Sequence, residues 1–163
     1  MREELVTPAI ARRLAQEGLA WEPQVGDWLM TLGGSEGDAS LWLVVATLPE
    51  QGLLTLANAN GRWPQAQVAA RDCLWLPTAG KLKTWLRAQG LRVTTGEAST
   101  RPSGGPLDWS GMTLHVCRLT SPADSALVID GEGASEAEAV AVAALRVLGR
   151  FQAAARDPWP GVG

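Results

Sequence analysis

The sequence predicts an α+β domain, with a mainly antiparallel sheet and three helices packed on it, near residues 8–17, 78–89 and 135–151. Two observations predict this class. Apolar residues at three- and four-residue spacing occur at those three places, each opened by a hydroxyl suited to capping: Thr7, Thr78 and Ser135. The apolar runs between them follow one another through short turns, which favours antiparallel pairing over alternating parallel units. Residues 1–156 are expected to form one domain and 157–163 an extended tail; a two-subdomain division near Arg71 is the alternative.

The first helix opens at Thr7-Pro8, where proline's missing N–H costs nothing, and stops at Gly18. Ile10, Ala11, Leu14 and Ala15 form its apolar stripe. Asp27 to Leu32 reads as a strand, followed by the polar, glycine-rich loop Gly33 to Ser40. Leu41 to Leu48, LWLVVATL, is a continuous apolar run expected of a central strand covered on both faces. Pro49 to Gly52 then turns the chain into Leu53 to Ala57, giving a hairpin. Asn58 to Pro64 contains another turn, Gln65 to Ala70 fits strand or helix equally, and Cys73 to Leu76 is a short apolar approach ended by Pro77.

In the second helix Leu82, Trp85 and Leu86 share one face, Lys81, Lys83 and Arg87 point away, and Gly90 ends it. Leu91 to Glu97 reads as a strand and Ala98 to Pro106 as a loop. A strand around Trp109, Met112, Leu114 and Val116 presents those residues as its apolar face, with Thr113, His115, Cys117 and Leu119 opposite. Ala126 to Asp130 is the last strand. Gly131-Glu132-Gly133 then reads as a left-handed turn into the third helix, where Ser135 and Glu138 have capping-box spacing. That helix carries a broad face of Ala137, Val140, Ala141, Ala144, Leu145, Leu148 and Phe151, thin enough to lie close to a sheet.

A chain of 163 residues buries roughly 70% of its unfolded surface, so a true core is available. Hydrophobic residues at 46% and charged residues at 19% describe a globular chain, and a net charge of −3 gives no footprint for duplex nucleic acid. No run of about 18 apolar residues spans a membrane and the N-terminus lacks a signal-peptide core, so the expected compartment is cytoplasmic. The aromatic set is unusual: eight Trp, one Phe and no Tyr. Each buried indole N–H needs a partner, so some rings are expected to stay half exposed.

The constellations that carry chemistry are sparse. Acidic Glu132, Glu136 and Glu138 stand where a phosphate would sit at the glycine turn, and no P-loop lysine follows. His115 is the single histidine, so no multi-histidine metal site forms. His115 and Cys117, two apart on one strand, are about 7 Å apart, beyond hydrogen-bond reach. Cys73 and Cys117 read as free buried thiols. No catalytic residue, metal site or cofactor is expected. Lys81, Lys83, Arg87 and Arg92 with Trp75 and Trp85 nearby mix cations and aromatic rings as single-strand binders do, although Trp85 also fits the buried helix face. Trp63, Trp109 and Trp159 lie beside Pro or Gly, or in an expected loop, and are the candidate partner-binding residues.

Leu74 to Phe151, containing WLPTAGKLKTWLRAQG and SEAEAVAVAALRVL, resembles the phage ABA-sandwich proteins. In those small phage and prophage proteins a Pro-Thr or Pro-Ser step opens a helix, an aromatic-bearing strand pair follows, and an Ala-rich helix closes the sheet. The resemblance covers about half the chain and excludes the part before Cys73. It implies a mobile-element origin and an accessory role, with no catalytic residues to carry over. The expected function is therefore that of a non-enzymatic, phage-related accessory protein acting on a protein partner; the alternative is a single-stranded nucleic-acid binder.

Overall fold

A computed structural model describes residues 4–32, 41–58, 66–99 and 113–156. Its elements run α1 (Pro8–Gln16), β1 (Trp28–Thr31), β2 (Leu41–Leu48), β3 (Leu53–Asn58), β4 (Ala66–Ala69), β5 (Cys73–Trp75), α2 (Ala79–Ala88), β6 (Arg92–Ser99), β7 (Thr113–Thr120), β8 (Val128–Gly133) and α3 (Glu136–Arg156). The strands form two antiparallel sheets, one ordered β4-β3-β2-β1-β5 and the other β6-β7-β8. The class is α+β, as the sequence predicts. The segment that fitted strand or helix equally is the edge strand β4.

Local chemistry places the helix ends. Thr7 Oγ1 accepts from the Ile10 amide at 3.4 Å and Thr78 Oγ1 from the Lys81 amide at 3.2 Å. Gly18 and Gly90 take φ of 90° and 81°, the left-handed conformation that closes a helix without a Cβ clash. At α3, Ser135 Oγ accepts from the Glu138 amide at 3.1 Å, while the Glu138 carboxylate returns to the amide of Ala134, one residue earlier than the simplest capping box.

Helix α3 is the centre of the larger core. It touches all three strands of the second sheet as well as α1 and α2. From Ala137 to Leu148 it is buried on most of its circumference, Ala139, Ala143 and Val147 included. Phe151 departs from the expected apolar face: it is 49% exposed, whereas Leu148, about one turn earlier, is buried.

The Gly131-Glu132-Gly133 segment is extended strand, and neither glycine has positive φ, so the expected left-handed turn is absent. These glycines serve packing instead. A Cβ on Gly131 would stand 2.3 Å from the Ala139 carbonyl oxygen and 2.5 Å from the Ala143 nitrogen; one on Gly133 would stand 2.8 Å from the Ala139 nitrogen. Backbone lies against backbone here, and alanines on the helix face make the approach possible.

Two further expectations are corrected. On β7 the core face is the His115-Cys117-Leu119 series, with Cys117 and Leu119 wholly buried, while Leu114 and Val116 are half-buried on the other side. The hydrophobicity of the two faces is nearly balanced, and the helix α3 decides which one is covered. Strand β2 is central in its sheet, yet only Val44 is buried, and Ala46 and Leu48 are exposed. The register shifts between Val44 and Ala46, and beyond it the strand runs out to the hairpin tip.

The five-stranded sheet carries a second, smaller core of Leu29, Val44, Leu54, Leu56 and Cys73, with Trp21, Trp42 and Val68 against it. From β1, Trp28 and Met30 instead meet the larger core. The chain start joins this arrangement to α2: Leu5 bridges Thr78, and the Val6 amide donates to the Pro77 carbonyl at 3.1 Å.

Gly131→Ala is expected to lower unfolding stability by about 3 kcal/mol or more, since backbone and not a flexible side chain must yield. Gly96→Ala, with nothing within 4 Å of the added atom, is expected to change it by no more than about 0.5 kcal/mol. Urea titrations of the two variants check the contrast.

Candidate protein-interaction site

The segment Trp21 to Asp27 leads into β1 and folds back along β2, where the Val44 amide donates to the Asp27 carbonyl and the Gly26 amide to the Val44 carbonyl, both at 2.9 Å. Gly26 takes φ of 96°, which makes the tight return possible. The return buries the Asp27 carboxylate, which is 3% exposed.

A buried carboxylate is tolerated only when its lone pairs are filled and its charge is met. Asp27 Oδ2 accepts from the Trp21 indole Nε1 and from the Gln24 amide, each at 2.9 Å. Lys81 Nζ, from α2, stands 3.4 Å from Oδ1 and donates to Gln24 Oε1 at 2.7 Å. One side chain thus joins the segment before β1 to the second helix and fixes the orientation of an indole.

The Trp21 ring is held on its other axis as well. It stacks on Trp75 of β5, with centroids 6.0 Å apart and planes inclined by 6°. Trp21 then forms a wall of a surface cleft of about 340 Å³, with Pro23, Leu48, Pro49, Leu53 and Leu54 as the other apolar walls. Glu22 and Thr47 supply its polar side chains. Leu48 is 41% exposed, so an apolar side chain already stands in water at the cleft. The surface is concave, apolar and rigid, the combination that stable recognition sites use.

The residues singled out from the sequence are distributed differently. Trp63, Trp109 and Trp159 lie outside the described residues. The five described tryptophans, 21, 28, 42, 75 and 85, are all half-buried. Of the basic set on α2, Lys81 is engaged with Asp27 and Lys83 with Glu136, while Arg87 is exposed. Trp85 packs against the main core beside Leu82 and Leu86. Lys81 and Lys83 reach different carboxylates, so the structure does not bring the four residues to one surface.

Two further carboxylates are paired, and both thiols are buried. Glu136 accepts from Lys83 and from Thr95 Oγ1, and the hydrogen bond from Lys83 is the larger cause holding its carboxyl below the usual range. Arg118 forks onto Asp130 at 2.8 and 3.0 Å, and that hydrogen bonding lowers the Asp130 pKa. Burial pushes both thiols up to about 11. Cys73 belongs to the smaller core, whereas His115 lines a polar hollow with Glu4, Glu97 and Glu136, so those two do not meet. Among the described residues no cluster of His, Cys, Asp or Glu is arranged to hold a metal ion, and no helix is long and apolar enough to cross a membrane.

No family model, curated protein or solved structure matches the chain. The site therefore rests on its own geometry. Sequence reasoning missed Trp21 and Asp27 and placed Trp75 only beside the basic set of α2, because the Trp21–Asp27 bond spans six residues outside any capping or turn motif and the Trp75 stack is long-range. The one local signal is the Pro23 to Gly26 break, which puts a carboxylate directly before an apolar strand.

Asp27→Ala is expected to lower stability by about 2–3 kcal/mol, since it orphans the half-buried indole N–H and removes the lysine's partner. Urea titration monitored by tryptophan fluorescence checks it. The thiols give a pH signature of determined sign. Their ordinary value is 9.0, so the stability they contribute is complete below about pH 9 and is lost as pH rises through about 11. Cys117→Ala is expected to flatten the alkaline limb of the stability curve between those values, measured by urea titration at successive pH.

Proposed function

We propose that this protein is a non-enzymatic accessory protein whose work is contact with another protein, and that the cleft beside Trp21 is where the contact is made. The observation that carries the reading is the locked indole: one edge is bound to a buried carboxylate, one face lies on a second indole, and the ring walls an apolar cleft open to solvent. A side chain fixed in advance loses little conformational entropy when a partner covers it, so its burial converts efficiently into affinity. Raised thiol pKa values favour the same reading over a thiol enzyme, since the thiolate is the nucleophile. Lys81 and Lys83, already facing carboxylates, favour it over the nucleic-acid alternative. The phage-related origin rests on the sequence likeness of Leu74 to Phe151.

Random-peptide display against the native protein tests the reading, with Leu48→Asp as the counter-screen. Enriched peptides are expected to lose about ten-fold or more in affinity for the variant, the equivalent of one partly buried apolar anchor. A selection yielding only peptides indifferent to Leu48→Asp would remove the cleft from consideration.

A further inference from the structure

The chemistry of the cleft restricts what fits it, and this step rests on the reading of the cleft as a protein-contact site. Its walls are mostly apolar, with an indole, two prolines and three leucines, and Glu22 and Thr47 are its polar side chains. The indole N–H is already donated to Asp27, so Trp21 offers the cleft apolar surface and no donor. Beyond Glu22 and Thr47 the walls offer no side-chain acceptor, so an ordinary peptide laid along them would bury most of its backbone N–H groups unpaired, each at a cost. A proline has no N–H to orphan, and a proline-rich segment is already extended, with little entropy to lose. Aromatic-lined grooves recognise such segments for these reasons.

Charge adds a second restriction. Glu22 lines the cleft, and Glu50 is exposed in the turn beside Pro49. Among the described residues neither carboxylate has a cation partner. A Lys or Arg on the incoming segment would complement Glu22, and its methylene stem would lie along apolar walls while the charged head stayed in water. An acidic segment would meet like charge at the same rim. We infer that the Trp21 cleft takes an extended, proline-rich segment carrying a Lys or Arg side chain.

The test uses fluorescein-labelled Pro-Pro-Leu-Pro-Arg-Pro, a second peptide with alanine for each proline, and a third with glutamate for arginine. Fluorescence polarisation is read with the native protein and with Glu22→Lys, Glu22→Lys/Glu50→Lys and Leu48→Asp. Glu22, Leu48 and Glu50 are exposed, so the variants are expected to fold, which circular dichroism checks. The first peptide is expected to bind about ten-fold or more tightly than either of the others, and the double charge reversal to invert the preference between arginine and glutamate.

Equal binding of the alanine peptide, still lost in Leu48→Asp, would overturn the proline preference and leave the cleft itself standing. An unchanged arginine-to-glutamate ranking in the charge-reversed protein would overturn the charge assignment. Absence of binding by all three peptides, or binding indifferent to Leu48→Asp, would overturn this inference. The display selection then separates the two failures, because a proline-free, cleft-dependent binder from it would retain the contact site.

Discussion

The close approach of α3 to β8 is the constraint on which the larger core depends. Two strand residues without side chains, Gly131 and Gly133, let a helix backbone lie against the sheet, and Ala139 and Ala143 complete the contact. Because the helix lies so near the strands, residues elsewhere on it, such as Val140, Ala144 and Leu148, share a core with Leu14 of α1 and with Leu82 and Leu86 of α2. A bulkier residue at Gly131 would lift the helix and disturb its contacts with the other helices as well. Helix, sheet and two further helices are thus coupled through a few atoms that are missing.

Asp27 performs a comparable service for the smaller sheet by a different interaction. The helix contact is steric and apolar, whereas the carboxylate works by collecting an indole N–H, a backbone amide and an ammonium around one buried charge. Burying a charge gains little stability on balance, because desolvation offsets attraction, but it penalises every arrangement that leaves the charge alone. The segment before β1 is therefore held in one conformation, and Trp21 with it. The cleft inherits its shape from that selectivity, since one of its walls is an indole with no freedom to turn away.

What the sequence made legible was what neighbouring residues decide among themselves. Capping hydroxyls at Thr7, Thr78 and Ser135, stops at Gly18 and Gly90, and the turn at Pro49 to Gly52 all act within a few residues, and the helices and the β2–β3 hairpin follow from them. The covered face of β7 was illegible, because both faces carry apolar residues and only the docking of α3 chooses between them. Gly131 and Gly133 looked like a turn for the same reason: glycine freedom and glycine absence read alike in one dimension. The cleft was hidden further still. Its walls come from residues 21–23, 47–49, 52–54 and 70, and the indole that defines it is placed by Asp27 and by Trp75 of a later strand.

The bridge between Leu5 and Thr78, together with the packing of α1 on α3, bears on the order in which the molecule assembles. Strands β1 to β4 pair with sequence neighbours, as do β6, β7 and β8, whereas β5 closes its sheet by returning to β1, so the sequential pairings can form before that long-range one. Helix α1 meets β5 as well as α3, so its buried side chains, Ala11 and Leu14, are fully covered only when α3 docks. Until α3 docks, part of the apolar stripe of α1 is thus left without a partner. The exposed arginines, Arg12 and Arg13, hold charge beside that stripe and oppose its burial in any arrangement that would also cover them.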